Sequence, residues 1–195
     1  MDEVKTVVSR DGTTIAYARY GTGTADGPAV VLVGGGRGAG DGEAPLARLL
    51  ARDFPVFVYG RRERGGSGDA VEREVEDLAA VLAAAGPGAA VHGSGTAGAL
   101  ALAAAAAGLP VAAVSVFEPP REALESLPEV HARVLVVDGG ASPAPVRRAA
   151  RELSALLPRA RHRTLTGQTH EVAPHVLAPV LAEFVADVAE WAGPA

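Results

Sequence analysis

Between Pro87 and Phe117 the chain carries no Asp, Glu, Lys or Arg, so this stretch belongs inside whatever the protein folds into. A membrane span would need about 20 uninterrupted helical residues. Gly93, Gly95, Gly98, Gly108 and Pro110 interrupt this one, and glycine and proline both work against a continuous helix. The stretch therefore predicts strand, turn, helix and strand at the centre of a domain. Within it, Val91-His92-Gly93-Ser94-Gly95-Thr96-Ala97-Gly98 reads as a sharp strand-to-helix bend. Such a bend crowds the backbone and needs small residues two before and two after its central residue. Gly93 and Ala97 meet that condition around Gly95. The alanines from Ala99 to Ala107 then favour a helix whose axis lies close to a sheet.

The rest of the chain alternates strands with helices. Val4 to Val8 and Thr13 to Tyr20 flank Ser9-Arg10-Asp11-Gly12, a hairpin signal with Asp-Gly at the turn. Ala29 to Val33 is a short apolar run ending in Gly34-Gly35-Gly36, a buried strand followed by a close-approach loop. Pro45 to Arg52 has helical character and Pro55 to Tyr59 is the next strand. Val71, Val75, Leu78 and Leu82 share one face of a helix from Val71 to Ala85. Strands follow at Ala89 to His92, Val111 to Phe117, Val134 to Val137 and His162 to Leu165. Helices are expected at Thr96 to Ala107, Arg121 to Leu127, Pro145 to Leu157 and Pro174 to Trp191. This order implies an α/β fold, a mainly parallel sheet with an N-terminal antiparallel hairpin and helices on both faces. No repeat or linker divides residues 1–195, and the length suits one domain.

Charge narrows the partners. A net charge of −5 and a pI near 5.5 argue against nucleic acid, because phosphate binding needs a cationic face. The Arg61-Arg62-Arg64 and Arg159-Arg161-Arg163 groups read as solvated surface. Without cysteine there is no disulfide, thiolate nucleophile or Cys-containing metal site. The first residues, MDEVKTVVSRDG, lack an apolar signal core, so the expectation is a cytoplasmic protein without a membrane partner. Homodimerisation stays open.

Several segments, in their order, resemble the α/β-hydrolase superfamily along nearly the whole chain. They are "SRDGTTIAYARYG" at the first hairpin, "VVLVGGG", "YGRRERGGSGD" after the next strand, "VHGSGTAGALALAAAAAGLP" at the bend, "FEPP", "VLVVDGGASP" and "LTGQTH". Single pieces are weak and their order is strong. Members usually follow the strand after the bend helix with a cap over the site, then a strand ending near an acid, then a histidine loop. Here only 15 residues separate Glu118 from Val134, too few for a cap domain of ordinary size. The resemblance therefore implies a capless α/β-hydrolase fold with an open site.

A Ser-His-acid hydrolase needs an attacking hydroxyl, an imidazole to take its proton, a carboxylate to orient that imidazole, and N–H donors for the oxyanion. By resemblance the histidine is His170, in Gly167-Gln168-Thr169-His170, whereas His92, His131, His162 and His175 lack such support. The family's nucleophile lies 15 residues before the proline matching Pro110, which implies Gly95, a residue with no attacking atom. Ser94 as the apex would put His92 and Thr96 where small residues are required. Thr96 satisfies that rule, but it needs a contracted helix, and its β-branch resists strained dihedrals. The usual acid maps onto Ser142, while Asp138 lies at the strand end four residues earlier. Glu118 follows the strand from which some members supply their acid, and reads equally well as an N-terminal charge for the Arg121 to Leu127 helix. Glu171, next to His170, reads as surface. Oxyanion-type donors fall to the backbone of Gly35, Gly36 and Arg37 and to Thr96 at the helix N-terminus.

Three functions are compatible with this set. In the first, His170 with Glu118 or Asp138 performs acid/base chemistry on a small carbonyl-containing metabolite, as a lyase, isomerase or cyclase, where proton transfer contributes about 10²–10⁴-fold. In the second, the chain is a non-catalytic pseudoenzyme that binds a ligand or protein partner. The third is an esterase-type hydrolase using Thr96 or Ser94, or a serine hydrolase inactivated at position 95. The glycines from Gly34 to Gly40 suggest a phosphate loop, but no Gly-Lys-Ser/Thr occurs and G-x-G-x-x-G fits loosely, so no nucleotide cofactor is expected. No His-x-x-x-His or paired-carboxylate pattern suggests a metal.

Overall fold

Asp-Gly turns the chain where the sequence predicts. The Asp11 carboxylate accepts the Thr13 N–H at 2.9 Å, Gly12 takes φ 86°, and Ser9 N donates to Thr13 O at 2.8 Å. This hairpin joins β1 (Glu3–Val8) to β2 (Thr14–Tyr20) with antiparallel pairing. The computed structural model describes residues 3–21, 28–35, 41–62, 70–120 and 130–191.

Beyond the hairpin come β3 (Val30–Gly34), β4 (Val56–Gly60), β5 (Ala90–Ser94), β6 (Ala113–Phe117), β7 (Arg133–Gly139) and β8 (Ala160–Leu165). All six run parallel in one sheet of order β1-β2-β4-β3-β5-β6-β7-β8. Their carboxyl ends therefore meet along one edge. Chain order reverses at β3, which has β4 on one side and β5 on the other, and such a switch point opens a crevice in parallel sheets. The helices are α1 (Ala44–Leu50), α2 (Ala70–Ala85), α3 (Thr96–Ala106), α4 (Ala144–Leu156) and α5 (Pro174–Trp191). A 3-10 turn, Asp41–Glu43, precedes α1.

The pleat sorts the core into two layers. Val31, Val33, Val91, Val116 and Val136 pack with Leu78 and Leu82 of α2, Leu100 of α3 and Leu153 of α4. Val30, Leu32, Val58, Leu135 and Val137 pack with Leu50 of α1 and with Leu177 and Leu181 of α5. Helices thus cover both faces, which is why β3 and β4 read as nearly continuous apolar runs. Residues 118–132 alone lie between β6 and β7, so no lid domain stands over the carboxyl edge. The expected helix from Arg121 to Leu127 lies outside the described residues. Among those described, no helix is long and apolar enough to cross a membrane.

Buried polar residues punctuate the strands, His92 among them. His92, 3% exposed on β5, bonds Ser115 Oγ through Nδ1 at 2.8 Å and leaves Nε2 buried without a partner. Burial depresses its pKa from 6.5 to about 4. Between those values the unfolded chain binds a proton that the folded chain refuses, so stability falls as pH drops through that window. Urea unfolding is expected to show a loss approaching about 3 kcal/mol by pH 4, and His92→Gln to flatten that slope.

Candidate active site

The bend after β5 is built on glycine for steric reasons. A Cβ on Gly93 would lie 2.4 Å from the Ala97 carbonyl carbon, and one on Gly98 would lie 2.8 Å from Gly93 O. Gly95, between β5 and α3, has φ 55° and ψ −125°, a conformation that side-chain-bearing residues rarely adopt. Its N–H donates to Phe117 O at 2.8 Å and its carbonyl accepts Ala99 N at 3.2 Å. A Cβ there meets nothing within 4 Å. The bend residue thus projects no side chain into open space.

Its neighbours are occupied differently. Ser94 is exposed at the end of β5. Thr96 opens α3, and its hydroxyl accepts a hydrogen bond from Arg61 Nη1 at 2.9 Å. Arg61 is locked in turn by Glu74, through Nε at 2.9 Å and Nη2 at 2.8 Å, with side chains 9% and 4% exposed. Arg62 makes the same two-pronged contact with buried Asp77, and its Nη1 reaches Asp11 Oδ2 at 2.7 Å. Arg62 holds the Asp11 carboxyl well below the usual carboxylate range.

The expectation that Arg61 and Arg62 are solvated surface is therefore corrected. Both follow β4 at the carboxyl edge, where acids of α2 reach them, and burial favours a bidentate guanidinium–carboxylate pair over separate solvation. Arg64 lies outside the described residues. Arg161 and Arg163 are surface residues as expected, paired with Asp187 at 3.1 Å and Glu183 at 2.6 Å. Removing one member of a buried pair strands the other charge, so Glu74→Ala is expected to cost about 3–5 kcal/mol. Chemical denaturation checks this, with Arg61→Met/Glu74→Leu recovering most of the loss.

On the acid side, Glu118 is the non-glycine residue with positive φ, 47°, among those described. Its N–H donates to Val137 O at 2.9 Å, and its Oε1 accepts Gly139 N at 2.9 Å and Ser142 Oγ at 2.5 Å. Glu118 and Ser142, two of the three expected acid positions, are thus in direct contact, with Ser142 buried and donating. Asp138 is elsewhere. β7 continues through Gly139, so Asp138 sits inside the strand, 0% exposed, with neither oxygen hydrogen-bonded and His162 Nε2 at 3.5 Å. The expectation that Asp138 orients His170 is corrected on that ground.

The loop carrying His170 packs on the loop carrying Ser142. Ala141 N donates to Gln168 O at 2.9 Å, Gly140 N to Leu165 O at 2.8 Å, and a Cβ on Gly139 would lie 2.4 Å from Gln168 O. The Gln168 side chain closes the histidine loop by accepting Ala173 N at 3.0 Å. His170 itself is 76% exposed, with Nε2 3.9 Å from Glu171 Oε1, and Glu171 is 87% exposed as expected of a surface residue. His170 makes no hydrogen bond to Ser94, Thr96, Glu118 or Asp138. A pair so exposed holds the ring only weakly.

Of the expected oxyanion donors, Gly35 N–H is already bonded to Glu43 Oε1 at 3.2 Å. Burial raises the Glu43 carboxyl above its ordinary range, while that N–H opposes the rise. Gly36 and Arg37 lie outside the described residues. Thr96 heads α3, where the first N–H groups of a helix have no intrahelical acceptor and favour a negative oxygen. Glu43 and the Arg61–Glu74 pair escape the sequence reading. The available hint is the polar pair Glu74 and Asp77 on α2, spaced three apart beside apolar Val75 and Leu78.

No protein-family model matches the chain, and no curated protein matches it in sequence. Among solved structures it is similar to an α/β hydrolase from Sphaerobacter thermophilus DSM 20745, with 37% identity and a TM-score of 0.80 over 92% of this chain and 99% of that one. It is similar to esterase RhEst1 from Rhodococcus sp. ECU1013, with 19% identity and a TM-score of 0.77 over 95% and 99%. A serine hydrolase without a lid from Xanthomonas campestris matches with 20% identity and a TM-score of 0.72 over 100% and 96%. At such identities the last two speak to the fold alone.

Proposed function

This chain belongs to the α/β-hydrolase family, and we propose that it acts on a small carbonyl compound by proton transfer, without a seryl-type covalent intermediate. In this reading Gly95 stands where hydrolases of the family carry their nucleophile, and its bare bend leaves room for the reacting carbonyl. The N–H of Thr96 at the head of α3 receives the carbonyl oxygen, stabilising negative charge as it develops. His170 moves the proton, and Glu118 orients it through the carboxylate oxygen not held by Gly139 and Ser142. The reaction class is that of a lyase, isomerase or cyclase.

The observation that carries this reading is the anchoring of Glu118. Two donors hold its carboxylate against the loop that packs on the histidine loop, an arrangement that a purely binding protein does not need. Within the esterase alternative, Thr96 is disfavoured as nucleophile because its oxygen is bonded to a guanidinium, which cannot take its proton. A panel of small ketones, aldehydes and oxo acids, followed by NMR for turnover or for exchange of protons beside the carbonyl, identifies the substrate. His170→Ala is then expected to lower the rate about 10²–10⁴-fold. An unaltered rate, or fluorophosphonate labelling of the native chain at Thr96 or Ser94, defeats the proposal.

A further inference from the structure

A cleft on the α4 side of Glu118 has no role in the chemistry above. We infer that it is the subsite for the apolar substituent of the carbonyl compound, an inference that rests on the proposed function and gives it a substrate class. The cleft encloses about 380 Å³, inside the range of about 300–1,000 Å³ typical of small-molecule sites. Glu118, Pro119 and Pro120 line it from the β6 side and Ala144, Pro145, Val146 and Ala149 from α4, with Arg148 and Glu152 completing it.

Connectivity ties this cleft to the bend. Gly95 N–H is bonded to Phe117 O, so the wall beginning at Glu118 starts one residue from the group that anchors the bend. Glu118 is held on its other side by Val137 O, Gly139 N and Ser142 Oγ. Those contacts enforce its left-handed φ of 47°, a strain that persists only where the surroundings over-determine it and that clusters at ligand-binding sites. The turn delivers the chain into Pro119-Pro120, whose rings fix φ and make the wall stiff.

The lining also selects the ligand. Pro119, Pro120 and Pro145 have no N–H, so this wall offers a polar substituent few donors. Two carboxylates, Glu118 and Glu152, line it against the single guanidinium of Arg148, and this negative balance disfavours an anionic tail. The fitting class is a neutral carbonyl compound with a short aliphatic or small aromatic substituent, rather than a dicarboxylate or a phosphorylated metabolite.

The test is a binding series of 2-butanone, 2-hexanone and 2-octanone, followed by NMR of protein labelled at alanine and valine methyls. Shifts are expected at Ala144, Val146 and Ala149, with affinity rising roughly fourfold for each methylene, the worth of burying one CH₂. Hexanoate is expected to bind more weakly than 2-hexanone. Val146→Trp fills the cleft and flattens the series; if that variant fails to fold, Ala144→Trp at an exposed position does the same. Affinity independent of chain length, or shifts confined to the separate cleft beside Leu109 and Val111, overturns the inference. Because binding is read without turnover, losing the series overturns the cleft whatever happens at His170. An unaltered turnover in His170→Ala overturns only the acid/base reading.

Discussion

Gly95→Ser is expected to make the chain react covalently with a fluorophosphonate probe to which the native chain is inert. The new Cβ has nothing within 4 Å, so the side chain fits without displacing a neighbour. The cost is conformational, because φ is 55° at that residue, and a strained non-glycine position of this kind costs about 1–3 kcal/mol. The serine oxygen would project from the bend at the head of α3, and in the proposed reading His170 is its base. Hydrolysis of an activated ester should rise about 10²–10⁴-fold over the native chain, and Gly95→Ser/His170→Ala should lose both labelling and hydrolysis. A serine variant that folds but stays unlabelled would show that His170 does not reach the bend. The acid/base reading would fall with it.

Gly93→Ala is expected to have the largest effect on stability. Its Cβ would sit 2.4 Å from the Ala97 carbonyl carbon, 2.5 Å from its oxygen and 2.6 Å from Gly98 N, all backbone atoms that no rotamer change can move. The first turn of α3 would have to lift off β5, uncovering the apolar layer around Val91 and Val116. A loss of about 4 kcal/mol or more is expected, at the exceptional end for a single substitution and a large share of a domain's total of about 5–15 kcal/mol. Gly95→Ala, two residues away, adds the same methyl into open space and should cost about 1–3 kcal/mol. Urea titrations of the two variants separate the cases, and equal stabilities would refute the crowding argument.

The scaffold is legible because its signals are local. Asp11-Gly12 makes a turn wherever two alternating runs flank it, and the charge-free stretch to Phe117 supplies two buried strands and the helix between them. The crowding that glycine relieves at the bend is likewise settled within six residues, Gly93 to Gly98. What the sequence does not carry is which side chains meet across long separations. Arg61 and Thr96 are 35 residues apart, and Glu118 and Ser142 are 24 apart. Arg61-Arg62 looks like solvated charge until the register of β4 against α2 brings Glu74 and Asp77 to it. Asp138 looks terminal because two glycines follow it, yet β7 keeps its ladder to β8 through Gly139. The site's electrostatics are thus tertiary facts, while its backbone is a sequence fact.

The short passage between β6 and β7 also limits which intermediates the protein could handle. Among the described residues Ser94 and Thr96, on either side of the bend, are exposed, so bulk solvent has access to what is bound there. A species that water destroys on contact needs a sealed chamber, and the described residues close none over the bend. Chemistry suited to so open a surface runs through intermediates that water quenches harmlessly, such as an enolate that simply regains its proton. It also lets product leave without waiting for a gate, so the observed rate should follow proton transfer and show a solvent deuterium isotope effect.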